Sequence, residues 1–276
     1  MPGSTTAAFT VARLGHVNHF ASDYDSALAL HRGPLGGEVF REFETPPAGA
    51  RNSLSSVGAT CIEVFSPVAA DSPIGAWISR FGPGWHSIEW TVPDLAEAEE
   101  VVAARGLRTT ERVAGSYLFL HPRDLHGLCL ELTGATFPDD PRGRPGWDPA
   151  VGAGTNPLGI TGGATVVLAV DDAAEVGEFF AGLTGRDIVH DETLGAARAT
   201  TLDFGDHRLD CLAERGIEPG ERLHTVRLPV SDLGSAKASL AERGIATAAL
   251  DTTEGPALVL DLAATNGARY EVVQPG

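Results

Sequence analysis

The feature that most limits how this 276-residue chain can fold is that it repeats itself. From His86 it reads H-S-I-E-W-T-V-P-D-L-A-E-A-E-E-V-V-A-A-R-G-L, and from His224 it reads H-T-V-R-L-P-V-S-D-L-G-S-A-K-A-S-L-A-E-R-G-I. Each passage is an alternating strand followed by a helix that an aspartate caps, Asp94 or Asp232, and a glycine ends, Gly106 or Gly244. Shorter echoes pair T-C-I-E-V-F with H-R-L-D-C-L and G-L-C-L-E-L with G-A-R-Y-E-V. Between the copies, residues 137–159 hold a cluster of Pro, Gly and Asp with neither helical nor strand periodicity. The expected organisation is therefore a domain over 1–137, a linker over 138–158 and a second domain over 159–276. The chain is long enough for two such cores.

Successive strand residues point to opposite faces of a sheet, which sorts the polar side chains of the first copy. In Leu128–Thr133 the leucines 128, 130 and 132 share one face, so Cys129 and Glu131 share the other. In His86–Val92 the apolar face is Ile88, Trp90 and Val92, with His86 on the same side, leaving Ser87, Glu89 and Thr91 opposite. The strand Thr60–Ser66 turns Ile62 and Val64 one way and Cys61 and Glu63 the other, while His16 and Asn18 share a face upstream. The inward polar set is His16, Asn18, Glu63, Ser87, Glu89 and Glu131.

A single glutamate at such a position is most often solvated or ion-paired. Three carboxylates and an imidazole converging from four strands are different. They repel unless protonated, paired with a base or bound to a cation, and a divalent metal is the economical solution. His19, His121 and His126, beside turns or apolar runs, read as structural histidines.

At these residues the chain resembles the vicinal oxygen chelate superfamily of glyoxalases, extradiol dioxygenases, fosfomycin and bleomycin resistance proteins and methylmalonyl-CoA epimerases. The epimerase branch is the nearest, matched over about residues 12–135, most specifically in H-P-R-D-L-H-G-L-C-L-E-L-T. The resemblance implies an α+β fold of tandem βαβββ modules, forming two domains with open β-barrel pockets. It also implies that His16, Glu63 and Glu131 match three of four metal ligands. Ser87 stands where the family's fourth ligand, a histidine, belongs. The general base of epimerases is missing too, its position matching Asn52. Removing and returning a proton at one carbon needs two opposed acid/base groups, which argues against methylmalonyl-CoA epimerisation itself. Glu89, on the face of Ser87 and longer, is the candidate to compensate as ligand or base.

One imidazole with two or three carboxylates is a hard donor set, suited to Mg, Mn, Zn or Co as a Lewis acid. Iron ranks behind these, because iron-dependent ring cleavage wants two histidines and a carboxylate, and His86 would have to turn inward. The expected function is a metal-dependent, glyoxalase- or epimerase-like enzyme of isomerase or lyase type. It would stabilise an enolate or related oxyanion on a small carbonyl, acid or acyl-thioester substrate. Glu89 and Glu131 are its catalytic candidates; Asn18, Asn52, Ser87, Tyr117 and Phe119 are its substrate-contact candidates. Arg41, Arg51, Arg80 and Arg123 are the residues available for a CoA phosphate, and Trp85 could line an apolar part. Two alternatives stay open: a metal-free natural-product-binding protein of the bleomycin-resistance kind, and an extradiol dioxygenase.

In the second copy only Asp210 and Glu271 remain as inward carboxylates. Ala164 or Thr165 replaces His16, and Thr225 replaces Ser87. That copy reads as structural or as a wall for substrate. A formal net charge of −17 without clustered Lys or Arg disfavours nucleic acid. The apolar runs are too short to span a bilayer, and the first ten residues lack a charged region followed by an apolar one, so the expectation is a cytoplasmic protein off the membrane. Cys61, Cys129 and Cys211 show neither disulfide nor zinc spacing and read as buried free thiols. The partner is a small molecule, and a homodimer is left open.

Overall fold

The computed structural model describes residues 8–148, 156–213 and 223–276. The middle of the expected linker, 149–155, lies outside the described residues. Sixteen strands form two eight-stranded sheets, and five α-helices accompany them among the described residues.

The first sheet is built from β1 (Arg13–Phe20), β2 (Glu38–Thr45), β3 (Ala50–Val57), β4 (Thr60–Pro67), β5 (Gly84–Thr91), β6 (Thr109–Val113), β7 (Tyr117–Leu120) and β8 (Cys129–Thr133). Its strand order is β2-β3-β4-β1-β5-β8-β7-β6. The second contains β9 (Thr165–Ala169), β10 (Ile188–Leu194), β11 (Ala197–Asp203), β12 (Arg208–Ala213), β13 (Leu223–Pro229), β14 (Thr247–Thr252), β15 (Gly255–Leu260) and β16 (Tyr270–Val273). Its order, β10-β11-β12-β9-β13-β16-β15-β14, is the same. Each sheet is two βαβββ modules side by side, in which the first strand of a module is separated by a helix from an antiparallel trio. The α+β architecture of tandem βαβββ modules that the resemblance implies is the one observed.

Backbone hydrogen bonds fix which residues of the two sheets correspond. Ala12 N donates to Thr91 O as Thr161 N donates to Pro229 O, Ala21 N to Phe65 O as Val170 N to Leu212 O, and Val92 N to Thr133 O as Val230 N to Val273 O. These offsets match His16 with Thr165, Glu63 with Asp210, Ser87 with Thr225, Glu89 with Arg227, and Glu131 with Glu271. They also resolve the open choice at His16 in favour of Thr165 and set Ala164 opposite Gly15.

The helices α1 (Tyr24–Arg32), α2 (Pro73–Phe81), α3 (Leu95–Ala104), α4 (Ala173–Thr184) and α5 (Leu233–Glu242) form where the sequence supplies caps. Asp23, Ser72, Asp94, Asp172 and Asp232 each accept a backbone N–H of the first turn. Gly106 and Gly244, just past the ends of α3 and α5, sit at φ 69° and 73°, where a side chain would be strained. No helix among the described residues is long and apolar enough to cross a membrane.

The described residues gather into two compact units that do not follow chain order. One takes the segment ending at Gly15 with Ser87–Thr136 and Val167–Leu223; the other takes His16–His86, Phe137–Val166 and His224–Gly276. The division passes through β1 and β5 themselves.

In the first unit the buried Trp90 ring meets Phe9, Phe180 and Phe204. Its indole N–H donates to His207 Nε2 (3.0 Å), while His207 Nδ1 lies 2.7 Å from Asp206 Oδ1. Asp206 Oδ2 also accepts from Leu14 N (2.8 Å). The turn between β11 and β12 thus holds the ends of β1 and β5. In the second unit, α1 packs Tyr24, Ala27 and Leu28 on Ala21 and Val64, and Ile74 of α2 packs on Phe20 and Ala50. Buried His31 bridges Ser55 Oγ (3.3 Å) and Tyr270 OH (2.9 Å), and His19 Nε2 meets the Asn266 carbonyl (3.2 Å).

Candidate metal centre

Strand β1 turns His16 and Asn18 to one face, and the parallel register of β1 with β4 puts Glu63 beside Asn18. Glu63 Oε2 lies 3.1 Å from His16 Nε2, and its other oxygen accepts from Asn52 Nδ2 on β3 at 2.9 Å. All four residues are buried. Burial, with a smaller push from the Arg142 guanidinium, lowers the His16 imidazole to about 3, so the ring is neutral near pH 7. Arg142 comes from the Pro-rich stretch after β8, where Asp140 holds it at 2.7 Å.

Strands β5 and β8 run parallel with Glu89 directly opposite Glu131 and Ser87 opposite Cys129. Glu89 is 7% exposed. Its carboxyl group lies over the backbone of β1 at Gly15: a Cβ on Gly15 would stand 1.9 Å from Glu89 Oε1 and 2.8 Å from its Cδ. On β7, Phe119 faces Glu131 across the strand pair and meets Tyr117 edge to face at 5.8 Å. The Tyr117 hydroxyl donates to Glu111 (2.7 Å), which with burial pushes it up to about 12. Cys129 is half-buried rather than fully so, and burial together with Glu131 raises its thiol to about 12.

His16, Glu89 and Glu131 each offer a ligand atom, and the three lie within 4.8 Å of one another. A neutral imidazole and two carboxylates at that separation are the donors that a hard divalent cation takes. The bare backbone at Gly15 leaves the Glu89 carboxylate the room to join them.

His86 does not turn inward. Its ring stacks on Phe20 at 4.1 Å and 7°, with Trp77 edge-on at 5.2 Å. Trp85 packs on Tyr270 and donates to the Arg269 carbonyl. Among the arginines considered for phosphate, Arg41 forks onto Asp139 (2.9 and 2.6 Å), Arg51 lies over Tyr24 with Asp25 and Glu42 near its nitrogens, and Arg80 lies over Phe81. Arg123 sits on an exposed turn after β7.

Three participants escaped the alternation argument. Gly15 has no side chain to sort, Arg142 belongs to a stretch without periodicity, and the Asn52–Glu63 bond depends on pairing β3 with β4. The G-H pair at 15–16 was the one available signal.

The second sheet fills the same places differently. Arg227, opposite Glu271 in register, donates to it from Nε (2.9 Å) and has Glu254 3.7 Å from a terminal nitrogen. Thr165 hydrogen-bonds Glu254, and Thr201 donates to Asp210 (2.8 Å).

No family model matches the chain. The ethylmalonyl-CoA/methylmalonyl-CoA epimerase of Cereibacter sphaeroides is 32% identical over 130 residues, which cover 44% of this chain and 97% of the relative. The human mitochondrial methylmalonyl-CoA epimerase is 28% identical over 135 residues, 46% of this chain and 77% of that one. A triple mutant of 4-hydroxymandelate synthase from Streptomyces coelicolor superposes with a TM-score of 0.69 over 96% of this chain and 93% of its own, at 14% identity, a likeness of fold. The chain belongs to the vicinal oxygen chelate superfamily.

Proposed function

We propose that this protein is a metal-dependent enzyme of isomerase or lyase type acting on a small carbonyl, acid or acyl-thioester substrate. Residues 1–137 form its active copy and 159–276 a copy without metal chemistry. The observation that carries the reading is the convergence of His16, Glu89 and Glu131 within 4.8 Å. The epimerase names of the relatives favour the acyl thioester among the substrates considered.

His16 and Glu131 would hold the cation, with Glu63 beside His16 and oriented by Asn52. Mg, Mn, Zn or Co bound there supplies Lewis-acid stabilisation of an enolate or related oxyanion. The residues do the rest. Burial keeps the His16 ring neutral and able to donate a lone pair. Asn52 contributes a hydrogen bond where an epimerase base would be, and an amide cannot take the proton. Phe119 and Tyr117 offer an apolar wall on the Glu131 side. A reaction with one acid/base face, rather than inversion at carbon, follows from that set. With His86 stacked on Phe20, a two-histidine iron site has no second imidazole, so ring-cleaving dioxygenation loses its support.

The direct His16–Glu63 contact and the serine at 87 favour one second reading, a metal-free binder of a natural product. Elemental analysis of the purified protein beside Glu131→Ala separates the two. Near-stoichiometric metal in the first, and a loss of most of it in the second, is the expected result. If neither protein takes up Mn, Co, Zn or Fe, the Lewis-acid enzyme is excluded.

A further inference from the structure

We infer that Glu89 is itself a metal ligand, taking the place left by Ser87 two residues earlier on the same strand, and that Gly15 is the residue that allows it. The inference rests on the metal-site reading above and assigns a role that the reading leaves open between ligand and base.

Residues 87 and 89 share a face of β5 but stand about 6.6 Å apart along it. A serine at 87 is too short to reach a neighbouring strand's functional face and is a poor donor to a hard cation. Glutamate at 89 has the length but starts further along, so its carboxylate must come across β1, the adjacent strand of the sheet. It does so over Gly15, where any Cβ would collide with Oε1 at 1.9 Å. Gly15 is absent from the residues at positive φ, so its backbone conformation does not require glycine. Space for the Glu89 carboxylate does. The next residue is His16, and Glu131 stands opposite Glu89 in register, which gathers the three donors.

The second sheet is an internal control. There the two positions change together: Ala164, with a Cβ, matches Gly15, and Arg227 matches Glu89. The arginine carries its own positive charge to Glu271 and Glu254. One copy has a glycine lane and a carboxylate, and the other has no lane and a built-in cation.

The test is titration of the full-length protein with Co²⁺, followed by calorimetry and by the visible spectrum of the bound ion, with circular dichroism as a check of fold. Glu89→Gln keeps the side-chain size, and it should weaken Co²⁺ binding by at least the ~10–100-fold that loss of a supporting residue costs a metal site. It should also alter the spectrum. Gly15→Ala should do the same, and adding Ser87→His to Glu89→Gln should bring affinity back to within about tenfold of the starting protein. Unchanged affinity and spectrum in folded Glu89→Gln overturns the assignment while leaving the metal enzyme standing. No Co²⁺ binding by the unmodified protein overturns both. Should Gly15→Ala fail to fold, the Glu89→Gln pair decides alone.

Discussion

In the first sheet the residue opposite Glu131 is Glu89; in the second the residue opposite Glu271 is Arg227. The two sheets share one strand order and three pairs of matched backbone hydrogen bonds align them, so at these positions the contrast is one of side chains. A buried carboxylate needs a positive partner or a proton. The second copy writes that partner into its sequence, whereas the first gathers donors suited to an ion from solution. Under the proposed reading, the second copy carries covalently the positive charge that the first would take from a bound cation.

Removing the built-in charge should break the contrast most severely. Arg227→Ala takes that charge from buried Glu271, which keeps Arg269 at 2.9 Å, and from half-buried Glu254, so the cost should fall at the low end of the ~3–5 kcal/mol that loss of a buried partner brings. Urea unfolding measures this. A cost below about 1 kcal/mol would mean that the carboxylates take up protons or other partners, and the proposed division of labour would fail.

Acid offers a milder way to sharpen it. Burial lowers His19 to about 4 and His31 to about 3, the second helped by His19. Both folded values lie below the unfolded 6.5, so the unfolded chain binds more protons in between. The stabilisation is complete above pH 6.5 and is lost as pH falls from there toward the folded values. Between pH 6.5 and 5 each histidine should cost on the order of 2 kcal/mol. Burial also lowers His16 to about 3 and His224 to about 4, and the position matching His19 in the second sheet is Leu168, so His19→Leu should flatten the pH dependence of the melting temperature by about a quarter; an unchanged slope would assign the sensitivity elsewhere. The smallest effect is expected at Asp210, the counterpart of Glu63. Thr201→Val removes its 2.8 Å hydrogen bond and should cost ~1 kcal/mol in thermal denaturation, with metal content unaffected.

Much of this was legible in the chain. Strict alternation is enough to turn Glu89 and Glu131 away from Ile88, Trp90, Leu130 and Leu132, because the period of a strand leaves no choice once one face is apolar. The aspartate caps at 94 and 232 are equally local. What was not legible depends on which strands become neighbours. The lane at Gly15 exists only because β5 lies beside β1, and the slot between Phe20 and Trp77 that takes His86 joins three separate elements. Arg142 lies in a segment whose composition announces a loop and nothing about where its guanidinium comes to rest. The choice between Ala164 and Thr165 likewise waited for the hydrogen-bond pattern.

The chain of contacts from Leu14 through Asp206 and His207 to Trp90 sets a limit on how far the second copy can decay. Its turn completes the hydrogen bonding of the strands that bear Gly15 and Glu89. A gene trimmed to the first copy would strand a backbone amide and an indole N–H that the intact chain satisfies, right beside the donors. The proposed metal chemistry makes no demand on the side chains of the second copy, but the strands of the first make one on its turn.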